Sequence, residues 1–398
     1  MSALLNLEQA QALVLARAAP LDGERVALAS ASRRVTASAA RATVDLPPFP
    51  SSAMDGYAVR ASDLPGRLRV TGEAAAGRPA GVGVTAGEAV AISTGAVVPD
   101  GADAVVPVEY VVQHDNEIDV VDALAPGTNV RPRGGDVAAG GVVVAAGVRL
   151  RAAEIGALGA AGIEALDCAR RPNVAILATG SELVRPGTAL RPGQIYESNT
   201  VMLAAALSAV GADIELLPLV ADDEQSHREA LERGLQADVL VTSGGVSVGP
   251  HDLVRSIAAE LGVEEVFWRV AIKPGKPVSF GMRGATLVFG LPGNPVSALV
   301  GAELFVKPAL RALQGLRDPL PRLESGVLAA ELRRNDARDD FVRARSRLDR
   351  DRAVLEPLPG QESHMIVRAA AANALVHVPR GEGTIAAGES VGWIRLAD

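Results

Sequence analysis

The residues best suited to chemistry sit in the second half of the chain, each at the end of an apolar run. Glu182 stands in "ATGSEL", Asp222 and Asp223 in "ADDE", Asp252 closes "TSGGVSVGPHD", and Lys273 and Lys276 flank the turn of "IKPGKP". Carboxylates gathered in one crevice repel one another unless a cation joins them, and Mg2+ takes one or two carboxylates together with phosphate oxygens. Gly244 and Gly245, followed by Ser247 and Gly249, let backbone N–H groups close around a phosphate. In "GLPGNP", Asn294 reads as a helix N-cap and Pro295 as the first helical residue, which turns free N–H groups toward the same place. Taken singly, each feature also has a plain structural reading. A glycine pair makes a tight turn, lysines are solvated surface, Asp222 can cap a helix, and Asp252 can be a first-turn acid. Taken together, they point to a Mg2+-dependent site for a phosphorylated substrate, with phosphoanhydride cleavage or transfer as the chemistry.

The elements that must position these residues alternate from Arg171 onward. Strand-like "NVAILATG", "DIELLPLV", "ADVLVTSGG" and "ATLVFGLPG" are separated by helical "TVMLAAALSAVGA", "DDEQSHREALERGLQ" and "HDLVRSIAAELG", and "PVSALVGAELFVKPALRAL" follows as a helix. That alternation predicts βαβ crossovers and a doubly wound parallel sheet over 171–318. Ligands of such sheets bind outside the carboxyl ends of the strands, where all the loops named above fall.

The rest of the chain has a different texture, and the fold class is α/β multidomain. Residues 46–134 carry β-branched runs broken by Gly and Pro, which predicts a small β-rich domain. Residues 1–45 and 135–170 are expected to form one discontinuous helical and extended domain, with a helix starting near Ala152 packed beside the N-terminal helix. Residues 322–398 return to short strands, a compact C-terminal β domain. Within the β-rich region "PPFPSSAMDGYAV" stands out, because its prolines fix φ and Gly56 permits conformations closed to other residues. It reads as a rigid loop presenting Asp55.

Composition excludes several classes. A net charge of −8 over 398 residues argues against a nucleic-acid binder, which needs a basic surface for phosphates. The single cysteine, Cys168, excludes an internal disulfide and a thiolate-rich zinc site, as expected of a cytoplasmic protein. The histidines at 114, 227, 251, 364 and 377 make no HxxxH or HExxH pair. The first twenty residues carry early Glu8 and no basic stretch, so they read as an amphipathic helix rather than a secretion signal, and no apolar run is long enough for a membrane span.

Eight motifs, "PPFPSSAMDGYAV", "STG" at 93–95, "ATGSEL", "GQIYESN", "TSGGVSVGPHD", "IKPGKP", "GLPGNPVSA" and "GQESH", occur in the order and near the spacing of molybdopterin molybdenumtransferases. The chain resembles that family, which also supplies the C-terminal domain of gephyrin, over essentially its whole length. The resemblance implies an elongated homodimer with composite active sites that inserts molybdate into adenylylated molybdopterin while AMP leaves in a Mg2+-dependent step. It implies Asp55, Thr94, Asp136, Glu182 and Asp252 as catalytic residues, with Glu182, Asp223 and Asp252 at the metal. Ser181, Asp222, Asp223, Ser243, Gly244, Gly245, Ser247, Gly249, Pro292, Asn294 and Pro295 would bind the substrate. Lys273, Lys276, Ser297, Arg343 and Ser363 would form the molybdate pocket, and two cations with hydroxyl donors suit a dianion. A separate molybdopterin adenylyltransferase would donate the substrate, and molybdoenzymes or their chaperones would accept the product. Two alternatives stand beside this reading: an adenylyltransferase or pterin-nucleotide hydrolase on the same sheet, and a non-catalytic scaffold. Many bacterial members of that family carry Asp-Asn before the Ser-Ala-Met-Asp segment, whereas this chain has Pro50-Ser51-Ser52.

Overall fold

A computed structural model describes residues 4–220, 223–245 and 253–396. The chain forms two compact units, one of Arg25–Cys168 and one of Met1–Glu24 with Ala169–Asp398.

In the first unit a six-stranded sheet runs Ala104–Pro107, Gly56–Val59, Glu88–Ile92, Gly66–Ala74, Glu117–Val120, Val111–His114. Period-two alternation sends Tyr57 and Val59 of the "GYAV" strand into one core with Leu68 and Ile118, and Ala58 into another with Val90 and Val105. Gly56 is required by close approach, since a Cβ there would lie 1.9 Å from the Val106 carbonyl oxygen. The helix Ala152–Ala160 packs separately, with Leu158 buried among Val26, Leu150, Leu166 and Cys168.

The second unit holds a six-stranded sheet in the order Asp213–Leu216, Asn173–Ala178, Val239–Ser243, Thr286–Leu291, Ser279–Arg283, Glu264–Trp268. The first four strands, those read from the sequence, are parallel as expected, and Ser279–Arg283 and Glu264–Trp268 add two antiparallel pairings at one edge, which makes the whole sheet mixed. The cause is local. Only Gly284 and Ala285 separate Ser279–Arg283 from Thr286–Leu291, and a connection that short makes a hairpin, never a crossover. Both faces are covered: Val174 and Ile176 enter one core, Ala175 and Leu177 the other. The helix that begins at Pro295 continues through a π-helical turn over Ala302–Val306 into Lys307–Leu313.

The N-terminal helix Leu7–Leu15 starts at Asn6, whose side chain takes the Gln9 N–H at 2.8 Å while Gln9 Oε1 takes the Asn6 N–H at 3.2 Å, a reciprocal cap. Its buried Ala10 and Val14 belong to the core of this sheet. The expectation that it would pack beside Ala152–Ala160 is therefore wrong, because its apolar stripe is satisfied against Lys307–Leu313 and the π-helical turn.

Five strands close a C-terminal barrel: Asp339–Asp349, Arg352–Pro357, Glu324–Leu328, Ser390–Arg395 and Ala374–Val378, the last pairing back to the first. Trp393, Leu355, Val376 and Ala344 fill it. Ile272–Lys273 pairs with Asp339–Asp340, so the "KPGKP" turn, which lies in the connection from Glu264–Trp268 to Ser279–Arg283, is also fastened to the barrel.

Candidate functional site

The parallel strands deliver their loops to one crevice of about 660 Å3. Its floor is tied across strand ends, with the Thr179 N–H donating to Ser243 O at 3.3 Å and the Gly244 N–H to Leu291 O at 3.0 Å. Gly244 (φ +94°) and Gly245 (φ +64°) both occupy the left-handed region, and a Cβ on Gly244 would stand 2.8 Å from the Thr179 carbonyl oxygen. Only glycine fits that turn without strain. The pair thus makes the concave backbone read from the sequence, while Ser247 and Gly249 lie outside the described residues.

Glu182 lies exposed at the crevice edge, its carboxylate folded over Gly180, where a Cβ would come within 2.6 Å of Oε2. Ser181 is exposed beside it. Ser243, Pro292, Asn294 and Pro295 line the same crevice, so most of the described substrate-binding set is brought together. Asp223 is engaged elsewhere: it caps the helix Glu224–Gly234, accepting the Ser226 N–H at 2.8 Å, and that bond followed by the Ser226 hydroxyl holds its carboxyl below the ordinary value. The cap falls one residue later than the sequence reading placed it. Asp222 and Asp252 lie outside the described residues.

The five residues expected around molybdate have unlike environments. Ser297 is buried in the first turn of the helix at Pro295, beneath the lysine turn, where a Cβ on Gly275 would lie 3.6 Å from the Ser297 carbonyl oxygen. Lys276 is exposed and makes no ion pair among the described residues, whereas Lys273 Nζ stands 3.1 Å from Asp340 Oδ2. Ser363 Oγ accepts from Asn294 Nδ2 at 2.9 Å. Arg343 departs from expectation. It is buried, and its guanidinium donates to Gly360 O at 2.9 Å, to Glu362 O and Met365 O at 3.3 Å, and to Gln361 Oε1 at 3.3 Å. Burial lowers its pKa. With its donors turned onto that loop, Arg343 supports the segment carrying Ser363 instead of facing an oxyanion.

In the other unit, Asp55 and Thr94 meet, the exposed Asp55 carboxylate accepting the Thr94 N–H at 2.7 Å. Asp136 lies exposed in another loop, held through its backbone N–H to Leu46 O at 2.9 Å.

The residues of "GQIYESN" have no role assigned from the sequence. Ile195, Tyr196, Glu197 and Asn199 all line the crevice, as does His364 of "GQESH". Their presence in the motifs was the available signal. Among the described residues no three His, Cys, Asp or Glu side chains gather as a metal cage. Glu197 is committed to Thr200, which leaves Glu182 as the described crevice carboxylate without a hydrogen-bonded partner. One carboxylate with phosphate oxygens is a donor set that Mg2+ accepts, so this crevice fits the ion once a phosphorylated substrate is present.

Known proteins resemble the chain along its whole length. Residues 5–162 match the family described as MoeA N-terminal region (domain I and II), 175–312 the probable molybdopterin binding domain, and 325–396 the MoeA C-terminal region (domain IV). A curated relative, molybdopterin molybdenumtransferase 2 of Mycobacterium tuberculosis, is 39% identical over 362 residues, covering 87% of this chain and 88% of its own. The chain belongs to the molybdopterin molybdenumtransferase family. The Haemophilus influenzae molybdopterin molybdenumtransferase is 35% identical over 395 residues, 98% of each chain. The family fold is matched by the crystal structure of a molybdopterin biosynthesis MoeA protein from Pyrococcus horikoshii, 30% identical, with a TM-score of 0.86 over 98% of this chain and all of that one. Among the described residues no helix is long and apolar enough to cross a membrane.

Proposed function

We propose that the chain inserts molybdate into adenylylated molybdopterin, with breakage of the phosphoanhydride P–O bond and departure of AMP. The observation that carries this reading is the juxtaposition in one crevice of a left-handed Gly244–Gly245 turn, the Glu182 carboxylate and the Asn294–Ser363 rim. The glycine turn offers backbone N–H groups to the phosphates. Lys276, Ser297 and Ser363 hold the incoming oxyanion, with Lys273 fixed behind by Asp340. Glu182 would hold Mg2+ together with substrate phosphate, an ion that neutralises charge on the leaving AMP. Asp55, steadied by the Thr94 N–H, completes the site from a second chain of a homodimer. A separate adenylyltransferase supplies the substrate, in the cytoplasm, and molybdoenzymes or their chaperones take the product.

The test is AMP release from adenylylated molybdopterin with and without molybdate and Mg2+. Release stimulated by molybdate is expected. Adenylylation of molybdopterin from ATP, with no response to molybdate, would overturn the reading.

A further inference from the structure

Asn199 is the first residue of the helix Asn199–Ser208 and is 9% exposed. Its Nδ2 donates to Ser243 Oγ at 2.8 Å and to Gly293 O at 2.7 Å. Ser243 ends one strand and Gly293 follows the next, so a side chain from a third element fastens the two loops that shape the crevice. The orientation of the amide is decided by chemistry. A backbone carbonyl only accepts, so the nitrogen must face Gly293 and the carboxamide cannot turn over.

Placement of this residue is itself braced. The buried Glu197 carboxylate accepts the Thr200 N–H at 2.8 Å and the Thr200 hydroxyl at 2.5 Å, which pins the start of the helix. With both N–H groups spent, the remaining polar atom of Asn199 is Oδ1, and it has no donor among the described residues although the side chain lines the crevice. Oδ1 is open to the crevice and is not one of the fully buried unpaired atoms, so its donor can come from whatever enters there.

We propose that Asn199 is a positioning residue for the Ser243 and Gly293 loops and that its Oδ1 is a fixed acceptor for an N–H or O–H donor of the bound pterin nucleotide. This rests on the crevice being the substrate site. Its sources of a donor are the amino and ring N–H groups of the pterin and the amino and hydroxyl groups of the adenosine.

The experiment measures binding of adenylylated molybdopterin and AMP release for the full chain, Asn199→Ala and Asn199→Asp. Wild type that neither binds this substrate nor releases AMP sinks the proposed function itself, independently of Asn199. With wild type active, Asn199→Ala is expected to bind about 10–100-fold more weakly, seen as a raised KM with kcat less affected. Asn199→Asp keeps the volume and an acceptor but sets an oxygen against the Gly293 carbonyl, so it should lose at least as much, and it decides alone if the alanine variant does not fold. Combined with Ser243→Ala, the losses should be less than additive, because one bond is then removed twice. Binding of AMP alone and of molybdopterin alone locates the donor: the fragment whose affinity falls in the variants carries it. Folded variants that bind the substrate with wild-type affinity, or that lose affinity for neither fragment, overturn the proposal.

Discussion

Asn294 Nδ2 donates to Ser363 Oγ at 2.9 Å, and two residues further on the Val296 N–H donates to Ser363 O at 3.1 Å. One serine of the barrel therefore holds the cap and the first turn of the helix at the crevice mouth. Ser363→Ala keeps the backbone bond and removes the side-chain one, a change of about 1 kcal/mol in a hydrogen bond of this kind. Molybdate-dependent AMP release should need roughly fivefold more molybdate. An unchanged molybdate dependence would leave Ser363 a purely structural tie.

The two lysines of "KPGKP" should separate in behaviour. Lys276→Ala removes the cation that has no ion pair among the described residues and should raise the molybdate requirement about 10–100-fold, with partial rescue at high molybdate and little change in pterin affinity. Lys273→Ala also leaves buried Asp340 without its ammonium, so its effect should include a lower melting temperature. Equal loss of pterin binding in Lys276→Ala, unrescued by molybdate, would move Lys276 to the nucleotide phosphates.

What the sequence disclosed and what it concealed divide along a physical line. The buried parallel strands were legible because runs such as "NVAILA" and "VLVTS" are apolar on both faces, as a covered sheet requires. The glycine turn was legible because φ above zero restricts the residue type. The surroundings of Arg343 were not, since "DDFVRAR" is only loosely patterned, and only the loop at 360–365 supplies the carbonyls that draw it in. Asn199 was concealed for the same reason: its partners lie 44 and 94 residues away. The lysine turn's attachment to the barrel depends on a pairing between Ile272–Lys273 and Asp339–Asp340 that no local pattern encodes.

Gly244→Ala tests the phosphate turn. The new Cβ would stand 2.8 Å from the Thr179 carbonyl oxygen at a φ of +94°. Destabilisation of about 1–3 kcal/mol is expected, together with weaker substrate binding. Normal melting and normal affinity would show that the turn tolerates another shape.

Asp238 provides a pH dependence of known sign. Arg170 holds it in two bonds of 2.6 and 2.7 Å and the Asn173 N–H adds a third at 2.8 Å. Burial acts to raise its carboxyl pKa, but these partners outweigh it and the value falls below the ordinary 3.8. A carboxyl depressed on folding contributes stability that is complete above its unfolded pKa and is lost as pH falls through the folded one. Asp238→Asn should therefore melt below wild type at pH 7, and the gap should narrow on acidification below about pH 4. A gap that stays constant would assign the difference to shape instead of charge.

The composite dimer is tested by mixing. Asp55→Asn and Glu182→Gln proteins should each be inactive alone. After subunit exchange, half of the dimers are hybrids with one undamaged site, so about a quarter of wild-type activity should return. Exchange confirmed by mass without recovered activity would put both residues in one chain's site.

The seating of Leu7–Leu15 in a core whose first strand begins at Asn173 also sets an order of events during synthesis. At ribosomal rates of about 5–20 residues per second, Ala10 and Val14 leave the tunnel on the order of fifteen to sixty seconds before the surface at 302–313 that buries them exists. Nine residues are too few to hold a helix unaided, so this stretch waits as an apolar, unformed segment while residues 25–168 are being made. The sheet unit is thus completed by residues translated before any of its strands, and its nascent chain carries a chaperone-accessible segment for the whole of that interval.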